Sequence, residues 1–540
     1  MKPNAIPLKD LFYIVPASLV FGAWFSSMQG RDWLTGFLAF SFLFFLSFCI
    51  LKISHGWTGS GKTLSYVIVL AFLLRLAVGV ALYWGLPIYG HADADDRFGY
   101  VFSDAHTRAS QAWRLAESER PILDAFSRNY SSDQYGGLLA FNALIYRYLS
   151  PDAQRPLMLI LVSAFFAALG VPFLWKAARL VFGERVAWAS SWIFALYPQS
   201  ILLGASAMRE PYLLTFSAFT FWGFVNFGVP GLAPVSDGSP SDSKWFLGLG
   251  LLGMLLVSPA VALVTLILLA GWVLYGYRGR QISWKVVAGI AIVFSLGLLL
   301  LSSSLNRAGE IESASPLSLI ASWLKLAVRL NVFQIEEGSG WVQKIFDESP
   351  AWIRLPFVAV YGIFQPVLPA AIIRPTKPIW NIIVFLLGLG WYALIPMLLL
   401  SFGAAAGTWS RPGTRENAEG SGRTRSLILW LALLTWTWII LSALRGGGDL
   451  WDNPRYRTIL FLWQAILAGY VWVWWRETRN PWFWRVVLME VVFLLIFAHW
   501  YGSRYYHWPG QMPFPIMVAV ILGLWGIVLF AGWRLDKRRA

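Results

Sequence analysis

The chain has 540 residues, of which 57% are hydrophobic, 17% aromatic and only 13% charged. An ordinary soluble domain carries roughly 25% charged residues, so this composition excludes one and makes lipid the solvent for most of the sequence. The net charge of +15 would suit a nucleic-acid binder, but Lys and Arg are scattered through short connections with no basic face or recognition motif, and positive-inside topology accounts for them.

Lys2 and Lys9 precede the first apolar run, which is longer than the core of a secretory signal and reads as an uncleaved first span. Fourteen spans are predicted, at 11-28, 33-52, 64-86, 156-180, 186-206, 211-228, 245-258, 259-277, 285-303, 380-403, 427-444, 457-475, 482-500 and 514-533. Such runs are long enough to cross a hydrocarbon core as helices and lack the alternation of barrel strands, so the expected fold is an all-α polytopic bundle. The 357-373 segment, with Pro366 and Pro369, suits an interfacial or re-entrant piece better than a further crossing. With both termini cytoplasmic in a cell inner or plasma membrane, the basic connections fall inside.

The expected organisation is one integral membrane domain over 1-540, made of three spans (11-86), an acidic outer loop (87-155), a six-span core (156-303), a second outer loop (304-379) and five final spans (380-540). The single cysteine, Cys49, excludes a disulfide framework and a cysteine metal site. Gly56-Trp-Thr-Gly-Ser-Gly61-Lys62-Thr63 matches the phosphate-loop pattern in letters, but it lies between two membrane helices without the strand that motif needs, so no nucleotide is expected.

The first outer loop opens His91-Ala-Asp93-Ala-Asp95-Asp96-Arg97-Phe98-Gly99-Tyr100, and from Pro87 to Gln134 it holds eight of the chain's 28 acidic residues against five arginines. Clustered carboxylates repel one another, which favours either a divalent cation or general-base work, with a solvated charged loop as the plain alternative. Its later aromatic stretch, from Tyr130 to Tyr146, suggests helices lying on the membrane. Arg209 and Glu210 fall at the same predicted face, where an arginine suits a phosphate and a carboxylate suits a cation, or the two form an interfacial ion pair. Asp449-Leu-Trp-Asp452-Asn-Pro-Arg455-Tyr456-Arg457 also lies there, its arginines suiting a lipid phosphate or acting as interfacial anchors. Arg75 and Glu490 sit within spans, where a charge is costly and faces either a partner or a pathway.

The order of these features resembles the GT-C superfamily of polyprenyl-phosphate-sugar-dependent glycosyltransferases, in its bacterial protein-mannosyltransferase-like and aminoarabinose-transferase-like branch. The resemblance runs from about Asp93 to Phe227 through Lys176-Ala-Ala-Arg-Leu-Val-Phe-Gly183, Ala195-Leu-Tyr-Pro198 and Arg209-Glu210-Pro211. It implies transfer of a sugar from a polyprenyl-phosphate donor in the membrane lipid to an acceptor glycan, lipid or protein at the outer face. Asp95 and Asp96 match the family's acidic pair, Asp96 being the favoured base. Arg209, Arg455, Arg457 and Tyr456 would hold the donor phosphate, and Asp93, Asp96 and Glu210 a divalent cation such as Mg or Mn. A transporter and a non-catalytic partner in lipid-linked polysaccharide assembly are the alternatives.

Overall fold

The computed structural model describes residues 6–29, 32–130, 135–226, 240–276, 284–308, 347–368, 376–406, 418–445 and 453–539, together with Ser318, Ser322 and Ile345. Among the described residues all regular structure is helical, as an all-α bundle requires. Nine of these helices are long and apolar enough to cross a membrane, or ten if one bent pair counts as a span. The expected second outer loop at 304-379 falls largely outside the described residues, as do Asp449 and Asp452.

The chain divides into two compact units, one of residues 1–327 with 458–465 and the other of 328–457 with 466–540. In the first unit, α1 (Leu8–Ser27) and α2 (Trp33–Thr58) form a hairpin, followed by α3 (Lys62–Tyr89). The phosphate-loop-like sequence is only the turn between α2 and α3, where Gly59 takes a left-handed conformation (φ 66°). Short helices α4 (Ala94–Arg97), α5 (Ser103–Glu117) and α6 (Gly137–Leu149) fill the loop after α3. None of the three is long enough to span. Helix α5 buries Ala105, Ala109, Ala112 and Leu115 along one stripe, and Arg147 of α6 caps its end by donating to the carbonyls of Leu115 (2.5 Å), Ser118 (2.9 Å) and Arg120 (2.8 Å).

Helix α7 (Pro156–Phe182) is apolar on every side and is buried along nearly its whole length, as such a helix must be in the middle of a bundle. Polar ties fix both of its ends to α2. Before its first turn, Arg155 grips Asp152 through both guanidinium nitrogens (2.6 and 2.7 Å) and donates to the Asp32 carbonyl (2.8 Å) at the start of α2. Near the other end, Lys176 donates to the Trp57 carbonyl (3.0 Å) and lies over the Trp57 and Trp222 rings at 4.3 and 5.2 Å.

The expected span at 186-206 is not one straight helix. It is α8 (Glu184–Leu196) and α9 (Pro198–Gly204), bent by 55°. Proline disfavours helical backbone in the residue before it, and Tyr197 is accordingly extended (φ -63°, ψ 119°). The Phe461 ring covers the break, stacked on Tyr197 at 4.3 Å. The expected spans 211-228, 245-258, 259-277 and 285-303 correspond to α10 (Glu210–Asn226), α11 (Pro240–Val257), α12 (Pro259–Gly276) and α13 (Trp284–Ala308). Helix α10 has 17 residues, and the apolar stretches read in the other three among the residues whose side chains are described are Ser243–Val257, Pro259–Leu274 and Phe294–Ser303.

In the second unit, α14 (Ala351–Phe364) ends just before the cis Gln365–Pro366 bond, and α15 (Pro378–Ala406), α16 (Ala418–Arg445) and the short α17 (Asn453–Arg457) follow. The rest of α18 (Phe461–Thr478) leads to α19 (Trp482–Tyr505) and α20 (Phe514–Arg539). Its cores gather Val358, Phe497, Trp500 and Met517 in one place and Leu400, Val471, Trp475 and Phe483 in another. Asp536 joins α20 to α19 by accepting from both Arg485 Nη atoms (2.6 and 2.8 Å) and from Trp482 Nε1 (2.8 Å).

Candidate active site

The acidic residues sit on a tight turn built where α3 stops. Gly90 closes α3 with a hydrogen bond to the Leu86 carbonyl (2.8 Å), and Ala92 then enters the left-handed region (φ 63°), which a residue with a Cβ adopts at a cost. Asp93 caps α4 by accepting from the Asp96 amide (2.8 Å). Gly99 turns the chain back (φ 75°) against the Tyr83 carbonyl of α3, and the Tyr100 amide donates to the Asp95 carbonyl (2.9 Å). The single turn of α4 thus holds Asp95 and Asp96 on a short, closed frame.

The two carboxylates face different surroundings. Asp96 is 1% exposed, and its Oδ2 accepts from the His91 amide (2.5 Å). A Cβ at Gly90 would collide with that same oxygen, so the absence of a side chain at 90 is what lets the carboxylate lie there. Asp95 has a third of its side chain exposed, and its Oδ1 meets His106 Nδ1 at 2.7 Å. A carboxylate only accepts, so the ring nitrogen is the donor. His106 is held in turn by the Tyr100 ring, stacked at 4.8 Å, and by Phe98 at 5.1 Å. Burial pushes the Tyr100 phenol up, with Tyr83 adding to it, so this hydroxyl stays neutral through the physiological range.

Arg209 and Glu210 occupy the turn between α9 and α10. Ala207 is left-handed (φ 51°), Met208 is 1% exposed, and Glu210 opens α10 at 1% exposure. Arg209 Nε stands 4.0 Å from Glu210 Oε1, and its guanidinium lies 5.7 Å from the Tyr135 ring centre. Glu210 Oε2 is buried with no hydrogen-bond partner among the described residues. Helix α3 brings this turn beside the acidic one. Its Gly79 abuts the Ala205 carbonyl and its Tyr83 abuts Gly99, positions four apart that share one helix face at a separation of about 6 Å.

The expected phosphate-binding residues Arg455, Tyr456 and Arg457 form a group of their own in the second unit. Arg455 is 6% exposed, lies over the Tyr456 ring at 4.9 Å and donates to its hydroxyl (3.1 Å). Arg457 is 4% exposed, packs 3.6 Å from the Trp391 ring centre and donates to the Ile363 carbonyl (3.3 Å) at the end of α14. Trp391 Nε1 shares that carbonyl at 2.7 Å. Arg457 therefore braces a helix end, whatever else it binds.

No protein-family model matches the chain, and no curated protein matches it either. Among solved structures it is similar to the Archaeoglobus fulgidus oligosaccharyltransferase in its apo form, with TM-score 0.41 and 13% identity over 88% of this chain and 56% of that one. It is similar to AglB from the same organism in complex with an inhibitory peptide and a dolichol-phosphate (TM-score 0.40, 13% identity, 89% of this chain and 56% of that one). A third similar structure is that oligosaccharyltransferase tethered to an acceptor peptide, with TM-score 0.41 and 12% identity over 88% of this chain and 55% of that one. The chain thus spans little more than half the length of each.

Among the described residues no group of three His, Cys, Asp or Glu side chains is arranged to hold a metal ion. Of the expected cation ligands Asp93, Asp96 and Glu210, the first spends its carboxylate on the Asp96 amide and the second turns toward the His91 amide. Two residues of the site escaped the sequence reading, His106 and Gly90. His106 lies eleven positions beyond its partner with no periodic signal to join them. A glycine three positions before the first aspartate of the cluster was the visible sign of Gly90.

Proposed function

We propose that the chain is an integral membrane glycosyltransferase that moves a sugar from a polyprenyl-phosphate carrier to an acceptor hydroxyl at the outer membrane face, with its termini cytoplasmic. The observation that carries this reading is the rigid acidic turn at the end of a membrane helix, with one carboxylate accessible and oriented by a histidine. A general base must come within hydrogen-bond reach of the proton it takes. Asp96 is 1% exposed whereas a third of the Asp95 side chain is exposed, and that difference in access supports giving the base role to Asp95. In this reading Asp96 shapes the turn. The resemblance alone favours Asp96, and the difference is one of access.

In the proposed step the acceptor hydroxyl gives its proton to Asp95 and its oxygen attacks the anomeric carbon. The bond from that carbon to the carrier phosphate breaks, and the phosphate leaves with the electron pair, inverting the sugar. Charge on the leaving phosphate is matched by an arginine, for which Arg209 stands on the neighbouring turn. Arg455, Tyr456 and Arg457 are further candidates for the carrier phosphate. A divalent cation is given no step. The transporter alternative draws on Arg75 and Glu490 as charges lining a path, but Arg75 is fully buried and bonded to helix carbonyls, which favours a structural use.

The test is sugar transfer from radiolabelled polyprenyl-phosphate sugars by purified protein in lipid, comparing the native chain with Asp95→Asn and Asp96→Asn at matched folding. Loss in Asp95→Asn with its fold retained is the expected result. Equal transfer by all three proteins would sink the acidic-turn mechanism and favour a non-catalytic role in lipid-linked assembly.

A further inference from the structure

Arg75 is an expensive residue to place mid-span, and nothing in the proposed transfer step uses it. It lies on the buried stripe of α3 with Ala71, Phe72 and Gly79, and it is 0% exposed. Its Nη1 donates to the carbonyls of Ala71 and Ala195 (both 3.0 Å), and its Nη2 to the Phe194 carbonyl (3.2 Å) and to Ser200 Oγ (2.9 Å). No carboxylate pairs with it among the described residues.

The acceptors define a place. Phe194 and Ala195 belong to the last turn of α8, and Ser200 to the first turn of α9, so one guanidinium spans the 55° break on both sides. The last carbonyls of a helix have no partner within it and carry partial negative charge, and in lipid no water is at hand to satisfy them. A planar cation with several fixed donors answers both needs, which an ammonium cannot do with the same geometry. At the far end of α9, Gly204 lets the helix close onto the arginine stem, since a Cβ there would stand 2.6 Å from Arg75 Cδ. Ala205, the next residue, abuts Gly79, one turn along α3 from Arg75.

We infer that Arg75 is a positioning residue that sets the α8–α9 bend and thereby seats the Arg209–Glu210 turn against α3. The bend fixes the direction of α9, and only five residues separate the end of α9 from Glu210. The strained backbone of Ala207 in that short connection is held because both of its ends are pinned. The consequence for catalysis rests on the proposed role of Arg209 and Glu210, whereas the positioning itself does not.

The test uses the full chain in detergent with Cys49→Ser and Met208→Cys, and reads the rate at which a soluble maleimide labels position 208. Met208 is 1% exposed, so labelling in the Arg75 protein is slow. Arg75→Met is expected to speed it by about tenfold or more, the factor for local opening made easier by about 1.4 kcal/mol, with Arg75→Lys in between. The native Cys49, buried in α2, is the control in a protein that keeps Met208. Equal acceleration at Cys49 would mean that the whole bundle loosens and would overturn the inference, as would unchanged labelling at 208 in folded Arg75→Met. Should Arg75→Met not fold, Gly204→Ala perturbs the same contact with the arginine in place, and unchanged labelling there overturns it equally. Faster labelling with KM and kcat of transfer as in the native protein would leave the positioning standing and remove Arg209–Glu210 from the active site.

Discussion

The turn after α3 and the turn after α9 are built alike and finished differently. Each follows a helix end, each carries an alanine in the left-handed region (Ala92 and Ala207), and each rests on the same strip of α3. In the acidic turn every carboxylate meets a local partner, namely the Asp96 amide for Asp93, His106 for Asp95 and the His91 amide for Asp96. In the other turn Glu210 Oε2 is buried without a hydrogen-bond partner among the described residues, and Arg209 stands 4.0 Å from the other oxygen. The contrast teaches that the acidic turn is closed by hydrogen bonds among its own residues and to His106 as well as by its seat on α3, whereas the second turn depends more on that seat. An unsatisfied buried acceptor of this kind costs about 1–3 kcal/mol until something donates to it.

The largest expected effect separates the two turns by chemistry. Asp95→Asn should lower the transfer rate by about 10²–10⁴-fold, the usual contribution of a positioned base, with the donor KM little changed. Glu210→Gln should act chiefly on the donor KM. A rate loss of the same size from Glu210→Gln would erase the distinction. Next in size, Gly90→Ala drives a Cβ against Asp96 Oδ2 and the Leu86 carbonyl, so it should destabilise the protein by about 1–3 kcal/mol and disturb Asp96. Thermal unfolding in detergent measures this, and an unchanged Tm would show that the acidic turn yields more easily than its bonding implies.

Relief of backbone strain is smaller and tests what the turns share. A left-handed alanine costs roughly 1–2 kcal/mol, and glycine gives back roughly 0.5–1 kcal/mol in chain entropy, so Ala92→Gly and Ala207→Gly should each stabilise by up to about 1 kcal/mol. Loss of transfer in either despite the gain would mark that strain as functional. The smallest effect concerns Tyr100, whose phenol is raised by burial. A raised phenol contributes stability that is full below the ordinary tyrosine range near pH 10 and is lost as pH rises beyond it, because the unfolded chain ionises first. Tyr100→Phe should therefore show a smaller fall in Tm than the native protein between about pH 8 and pH 11.

Much of the bundle was legible in the sequence because span length is a one-dimensional property. The nine long apolar helices fall where their runs of residues place them. Legibility fails where a run is cut or short. The 186-206 stretch contained Pro198, whose effect on Tyr197 breaks the helix, yet hydropathy alone cannot register a bend. The acidic cluster stood out by charge density, but the ranking of Asp95 and Asp96 depends on burial created by Gly90 and on a histidine from another helix. Arg75 was visible as a cost, and its use was not, since its partners lie up to 125 residues away.

The ties between α2 and α7 bear on how the protein is made. Arg155 reaches the Asp32 carbonyl across 123 residues, and Lys176 reaches Trp57 across 119, so α2 enters the membrane well before its anchors exist. At a synthesis rate of roughly 5–20 residues per second, that interval lasts roughly 6–24 s. During it α2 has only its hairpin partner α1 and the nascent α3 for company, and its waiting face is open to lipid or to insertion factors. Register between α2 and α7 is then set at both ends once α7 arrives, so the pairing waits for a helix that the ribosome delivers after the whole acidic loop.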